Sequence, residues 1–169
     1  MGEGEARPYL EAGEEHLRLE EWPQAEDAFR KAVALDADSA IARSKLGVAL
    51  ARQRRLDEGI EALRQAIQLN PRYAAAYSNL GNVYREQGRM DEALRAYQQA
   101  IEADPDYWVA HQNLGTLYKE KGRFTEAVGE FRKATRLSVR GPGGARRGCF
   151  GPSATVLLGL LLVLVVLLR

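Results

Sequence analysis

Tyr77-Ser78-Asn79-Leu80-Gly81-Asn82-Val83-Tyr84 returns 34 residues later as His111-Gln112-Asn113-Leu114-Gly115-Thr116-Leu117-Tyr118. The match runs on: Gly88 pairs with Gly122, Ala93 with Ala127, Tyr97 with Phe131 and Ala100 with Ala134. One period earlier, Leu46-Gly47, Gly59, Leu63 and Ala66-Ile67 fall at the same offsets. One earlier still, Tyr9, Gly13, Ala25, Phe29 and Ala32 do so. The sequence therefore divides into four units: 6–39, 40–73, 74–107 and 108–141. A unit of this size cannot bury its own apolar face and gains stability by stacking on its neighbours.

Each unit reads as two amphipathic helices, for example 74–87 and 90–103, because the apolar positions recur with helical spacing. Gly81, Ala93 and Ala100 mark where the paired helices cross, and Leu80, Tyr84, Tyr97 and Ile101 fill the space around the crossing. Gly59 stands where the neighbouring units have Ala. A glycine inside a helix costs about 1 kcal/mol against alanine, so the second unit is expected to be the softer one. On that basis Gly59→Ala would stabilise it by up to about 1 kcal/mol, provided the crossing tolerates a methyl.

This 34-residue pattern resembles the tetratricopeptide repeat over about four-fifths of the chain, most clearly in units three and four, with Asn70-Pro71 and Asp104-Pro105 at the turns between repeats. Unit one departs from the pattern at Ala12 and His16, unit two at Arg43 and unit four at His111. The resemblance implies an all-α, right-handed superhelical solenoid of four helix-turn-helix units. It also implies a concave groove lined by the first helix of each pair. Its lining would include Arg7, Leu10, Glu11 and Glu14 in unit one. Unit two would add Ile41, Ser44, Lys45, Val48 and Arg52, and unit three Ala75, Ser78, Asn79, Asn82 and Arg85. Unit four would add Val109, Gln112, Asn113, Thr116 and Lys119. Asn79 and Asn113 lie one period apart, and an amide both donates and accepts, so such a pair can hold a peptide backbone. Regularly spaced groove asparagines are similar to the ladder in the repeat region of O-GlcNAc transferase. The carboxylate clamp of chaperone-binding members is not matched, because Ser78 replaces its lysine and no later unit completes it.

After Arg147 the character of the chain changes. Cys149 to Leu168 are twenty residues without a charge, ending in the run Val156 to Leu168, and Arg169 follows. Twenty residues at helical rise span roughly 30 Å, one hydrocarbon core. The expectation is a C-terminal transmembrane helix over 149–168, joined to the repeats by a Gly/Arg-rich linker over 142–148. Arg140, Arg146 and Arg147 precede the segment, and positive residues favour the cytoplasmic side. The acidic start, Met-Gly-Glu-Gly-Glu-Ala-Arg-Pro, does not read as a secretory leader. A single-pass, tail-anchored arrangement with cytoplasmic repeats follows.

Charge and composition narrow the function. The whole chain carries 24 basic and 23 acidic residues, net +1. Residues 140–169 hold four Arg and no acid, leaving 20 basic against 23 acidic before them, a net of −3. A mildly acidic repeat region gives no electrostatic case for nucleic acid. The single cysteine, Cys149, excludes a disulfide framework. His16 and His111 fall at helix-packing offsets in different units and read as packing residues. The remaining Glu residues read as solvated helix faces. No catalytic set, cofactor motif or metal-ligand cluster is discernible, and no small-molecule substrate is expected. The leading expectation is a non-enzymatic, membrane-anchored interaction scaffold that binds a partner peptide or helix in the groove. Two alternatives stand beside it: a recognition subunit of a glycosyltransferase-like enzyme, and an exported protein with a C-terminal sorting tail.

If residues 149–168 span a bilayer, the full chain will stay with the membrane pellet on alkaline carbonate extraction, and a chain truncated after Arg140 will be soluble and helical. Recovery of the intact chain in the carbonate supernatant would refute the anchor.

Overall fold

Glycine spacing sets the first level of structure. In this computed structural model, which describes residues 2–140, those residues form eight helices and no strand. They are α1 (Gly2–Arg18), α2 (Trp22–Leu35), α3 (Ala40–Arg52), α4 (Leu56–Leu69), α5 (Ala74–Glu86), α6 (Met90–Ala103), α7 (Trp108–Glu120) and α8 (Phe124–Arg140). The starts of α3, α5 and α7 are 34 residues apart, as are those of α2, α4, α6 and α8. Only α1 breaks the pattern, starting at Gly2 and carrying Pro8 inside it. Pro8 cannot bond the Gly4 carbonyl, and Gly4 is exposed, so water can take that acceptor. Residues up to Ser138 form one compact unit. The transmembrane segment expected at 149–168 and the linker at 142–148 lie outside the described residues. Among those described, no helix is long and apolar enough to cross a membrane.

Both kinds of turn repeat with the sequence. Between the helices of each pair the chain passes through the left-handed region at Glu20 (φ 60°), Arg54 (φ 66°), Gly88 (φ 76°) and Gly122 (φ 72°), again 34 residues apart. The following residue closes the helix end by donating back over five residues: Glu21 to the His16 carbonyl at 2.9 Å, Arg55 to Leu50 at 3.1 Å, Arg89 to Tyr84 at 2.9 Å and Arg123 to Tyr118 at 2.8 Å. Between pairs, the Asn70 and Asp104 side chains each accept from the backbone two residues on, at 3.0 Å. Such Asx turns pin the chain between α4 and α5 and between α6 and α7.

Helix pairs are held close by glycine facing a large ring. A Cβ at Gly13 would lie 2.5 Å from the Phe29 ring, one at Gly81 2.5 Å from Tyr97, and one at Gly115 2.8 Å from Phe131. Unit two solves the same crossing differently. Leu63 replaces the ring, and α3 and α4 approach until a Cβ on Gly59 would be 2.9 Å from the Gly47 carbonyl oxygen and 3.3 Å from the Ala51 nitrogen. Gly59 therefore belongs to a backbone-to-backbone contact, so the crossing does not tolerate a methyl and the stabilisation expected of Gly59→Ala does not hold. The first junction is packed with shorter buried side chains. Its buried residues are mostly alanine, Ala6, Ala32 and Ala42, then Ala25, Phe29 and Ala49, with Leu10, Val33, Leu17 and Leu46 half-buried against them. Units two to four share one continuous cluster with Ile60, Leu63, Leu80, Val83, Tyr84, Tyr97, Leu114 and Leu117. Stabilisation follows apolar area at about 25 cal/mol per Å², so short side chains stack more weakly.

Two substitutions test these crossings and turns. Gly59→Ala gains about 1 kcal/mol of helix propensity but drives a methyl into backbone that cannot rotate away, so urea unfolding should show a net loss of about 1–3 kcal/mol. Glu20→Gly removes a left-handed side-chain clash at an exposed turn and should raise stability by up to about 1 kcal/mol, part of the gain being offset by the freer unfolded chain. A stabilised Gly59→Ala would show that α3 and α4 are not in backbone contact.

Candidate functional site

The first helices of the pairs touch in sequence, α1 to α3, α3 to α5 and α5 to α7, and so form one face. On it lies a cavity of about 460 Å³ lined by Val48, Ala51, Arg52, Asn79, Asn82, Val83, Arg85, Glu86 and Asn113. Of the residues expected in a groove, it brings together Val48, Asn79, Asn82 and Asn113, with Arg52 and Arg85. Others are placed elsewhere. Ser44 and Ser78 are each only 1% exposed and sit behind the face. Gln112 is exposed, and the Thr116 hydroxyl donates back to the Gln112 carbonyl at 3.0 Å. Lys45 forms an ion pair with Glu14 at 2.9 Å.

The buried serines explain the asparagines. Asn79 Nδ2 donates to Ser44 Oγ at 3.3 Å, and Asn113 Nδ2 donates to Ser78 Oγ at 3.0 Å. Each bond crosses from one repeat to the next. The asparagines are therefore structural links as well as groove residues. Lys45 occupies the same register in unit two, where the position matching Ser44 is Leu10, which offers no acceptor. Its ammonium reaches Glu14 instead. Asn82 is committed differently: its Oδ1 accepts from the Tyr97 hydroxyl at 2.7 Å. Tyr97 is fully buried, and burial raises its phenol to about 12, so it remains a donor. With one amide atom of each asparagine occupied, Oδ1 of Asn79 and Asn113 and Nδ2 of Asn82 make no further hydrogen bond among the described residues. The cavity's charged end is formed by Arg85, 3.5 Å from Glu120, and Glu86, 2.5 Å from Arg54.

Two carboxylates leave the solvated faces where the sequence put them. Glu26 is 5% exposed, and its carboxylate accepts from Gln53 Nε2 and Arg55 Nη1, each at 2.6 Å, and pairs with Arg30. Burial alone would push its pKa up, but the bonds from Gln53 and Arg55 and the two guanidinium charges more than offset this and hold it below the ordinary 4.5. This cluster joins α2 to the turn after α3, at the first junction. Glu130 is held low in the same way: burial opposes ionisation, and Lys133 at 2.8 Å and His111 Nδ1 at 2.6 Å outweigh it. His111 Nε2 lies 3.2 Å from the Pro105 carbonyl, so both ring nitrogens are engaged in packing. The sequence does carry a sign of Glu26: positions one, two and three periods on are Ile60, Leu94 and Val128, so an acid there occupies an apolar register.

The repeat is also what other proteins share with this chain. Family profiles described as tetratricopeptide repeat match residues 10–74, 62–95 and 109–138, and one described as TPR repeat matches 81–122. A crystal structure of MamA is 35% identical, with a TM-score of 0.66, over 80% of this chain and 79% of that one. The chain belongs to the tetratricopeptide repeat family. Pseudomonas aeruginosa PilF is 28% identical with a TM-score of 0.72, over 81% of this chain and 63% of that one. YrrB, whose structure is described as a TPR protein with an unusual peptide-binding site, is 26% identical with a TM-score of 0.60, over 78% of this chain and 68% of that one. No curated protein matches.

Glu26→Gln tests the buried cluster. A group with a depressed folded pKa contributes stability above its unfolded pKa and loses it as pH falls through the folded value. The variant should therefore be less stable than the parent by about 1.5–3 kcal/mol near neutral pH. That gap should narrow below pH 4.5. A pH-independent gap would mean that the Glu26 charge does not matter.

Proposed function

We propose that this chain is a non-enzymatic interaction scaffold that takes a peptide segment of a partner protein in the groove of α3, α5 and α7. The carrying observation is the pair Asn79 and Asn113, each of which gives one Nδ2 N–H to a serine of the preceding repeat, Ser44 and Ser78 respectively, and has no partner for its Oδ1 among the described residues. Their carbonyl oxygens are left for the N–H groups of a bound backbone. Val48, Ala51 and Val83 offer small apolar contacts beside them, and Arg52 adds a positive charge at the end where Arg85 pairs with Glu120 and Glu86 with Arg54. This chemistry suits a peptide held mainly by its main chain, with an acidic residue toward Arg52. Family membership and the likeness to YrrB support the reading. The uncharged segment 149–168 and the arginines before it support a further part of the proposal: the scaffold is held at a membrane, with its repeats on the cytoplasmic side.

The test uses two double variants against the partner recovered by pulldown with the intact groove. Asn79→Ala/Asn113→Ala removes both acceptors and both inter-repeat links, so affinity should fall about five- to hundredfold and the unfolding midpoint should drop as well. Asn79→Asp/Asn113→Asp keeps an acceptor on the groove side, while the serine hydroxyls can turn to donate to the carboxylates. It should keep most of the stability and bind substantially better than the alanine pair. Full affinity in the alanine pair would place the partner on another surface.

A further inference from the structure

The stack has two unlike ends, and each shows the face that is covered at every internal junction. Leu56, Ile60, Met90 and Leu94, on α4 and α6, are buried or half-buried in the stacking cluster. Phe124 and Val128 occupy the same register on α8, where they are 64% and 49% exposed. At the other end, α3, α5 and α7 pack backward through Leu46, Leu80 and Leu114. Their counterpart on α1 is Ala12, and Ala12, Tyr9 and His16 border a cavity of about 450 Å³. Leu19, just past α1, is 50% exposed.

The chain's own continuation does not supply a fifth unit for α8. One period beyond α7 the sequence reads Pro142-Gly143-Gly144, and the residues matching Leu114 and Leu117 are Gly148 and Gly151. The repeat register supplies a different occupant. At the first junction Glu26 meets Gln53 at 2.6 Å. Carried to the open ends, that pair of positions becomes Val128 and Leu19, two exposed apolar residues. The positions joined as Ser44–Asn79 and Ser78–Asn113 become Gln112 and Glu11, a donor and an acceptor. The end helices are also opposite in charge. Residues 2–18 carry five Glu and two Arg, net −3, and residues 124–140 carry two Glu and four basic residues, net +2.

We infer that the face of α8 docks onto the α1 end of a second copy of this chain, continuing the internal stacking across molecules. Such a contact is heterologous: it uses two different surfaces and does not close on itself, so copies add head to tail. The opposite charges orient the approach and disfavour joining like ends.

The test uses the full chain in mild detergent, with Cys149→Ser as background and a short bismaleimide cross-linker. Leu19→Cys/Val128→Cys should give a ladder of covalent oligomers on a denaturing gel, and each single cysteine variant alone should remain monomeric. Mixing the two singles should give dimers and nothing larger, because each contributes one reactive end. Adding Val128→Glu to a chain carrying Leu19→Cys, then mixing it with the Val128→Cys single, should leave the dimer yield unchanged. Adding Phe124→Glu to the Val128→Cys single should cut that yield roughly tenfold or more. Cross-linked dimers from either single variant alone would show like-end or tail-driven association. Monomers throughout, even in the double variant, would mean that the α8 face is met by something else. Either result overturns the proposal.

Discussion

Everything in this chain depends on how near two helices can come at one crossing. The glycine register at 13, 47, 81 and 115 removes the side chain that would hold the paired helices apart, and the residue opposite fills the gap. Where that residue is Phe29, Tyr97 or Phe131, one ring packs on bare backbone. Where it is Leu63, the helices close further and a second glycine is required. Both solutions fit within the same 34-residue spacing of helix starts, which is kept from α2 onward. The left-handed turns and the five-residue back-bonds then bring each second helix back at a fixed angle, even where the turn residue is Glu20 or Arg54 rather than glycine.

The periodic part of this was legible in the sequence, because a repeat states its own register three or four times. The pairing of helices follows from offsets, while the turn at Asn70-Pro71 and the run of first helices along one face follow from the resemblance to the tetratricopeptide repeat. What was not legible were the places where one unit departs from the rest, since a departure can be compensated only in three dimensions. Gly59 looked like a weakness because its partner, the Gly47 carbonyl, is twelve residues away on another helix. Glu26 looked like a solvated acid until Gln53, Arg55 and Arg30 were seen around it. Ser44 and Ser78 looked like groove residues because their register is shared with exposed positions such as Gln112. Their burial comes from Asn79 and Asn113 on the next unit. The segment 149–168 lies outside the described residues, so its reading still rests on composition and charge.

The junctions are unequal in kind as well as in strength. Between units two, three and four, branched and aromatic side chains form one cluster, and exposed polar pairs such as Gln87–Asp57 at 2.9 Å and Lys121–Asp91 at 2.6 Å lie over it at equivalent positions. At the first junction Pro23 stands where Asp57 and Asp91 stand, so the matching bond is impossible and Gln53 turns to Glu26 instead. A charged, buried network thus joins the units where the buried apolar side chains are shorter. Removing one member of such a network leaves the others unpaired, so this junction is sensitive to single changes in a way that the larger cluster is not.

The bonds from Asn79 to Ser44 and from Asn113 to Ser78 have a mechanical meaning. They tie the second and third junctions on the face formed by α3, α5 and α7, one bond at each, like stays along one side of a beam. A ligand that took the N–H engaged with the serine would detach a stay, whereas the second N–H of each amide nitrogen can be used with the stay in place. One that offers donors to the free oxygens leaves both stays in place. Stiffness and ligand choice are set by the same two amides, so a change in the elasticity of the stack at these positions would be felt as a change in which partners it accepts.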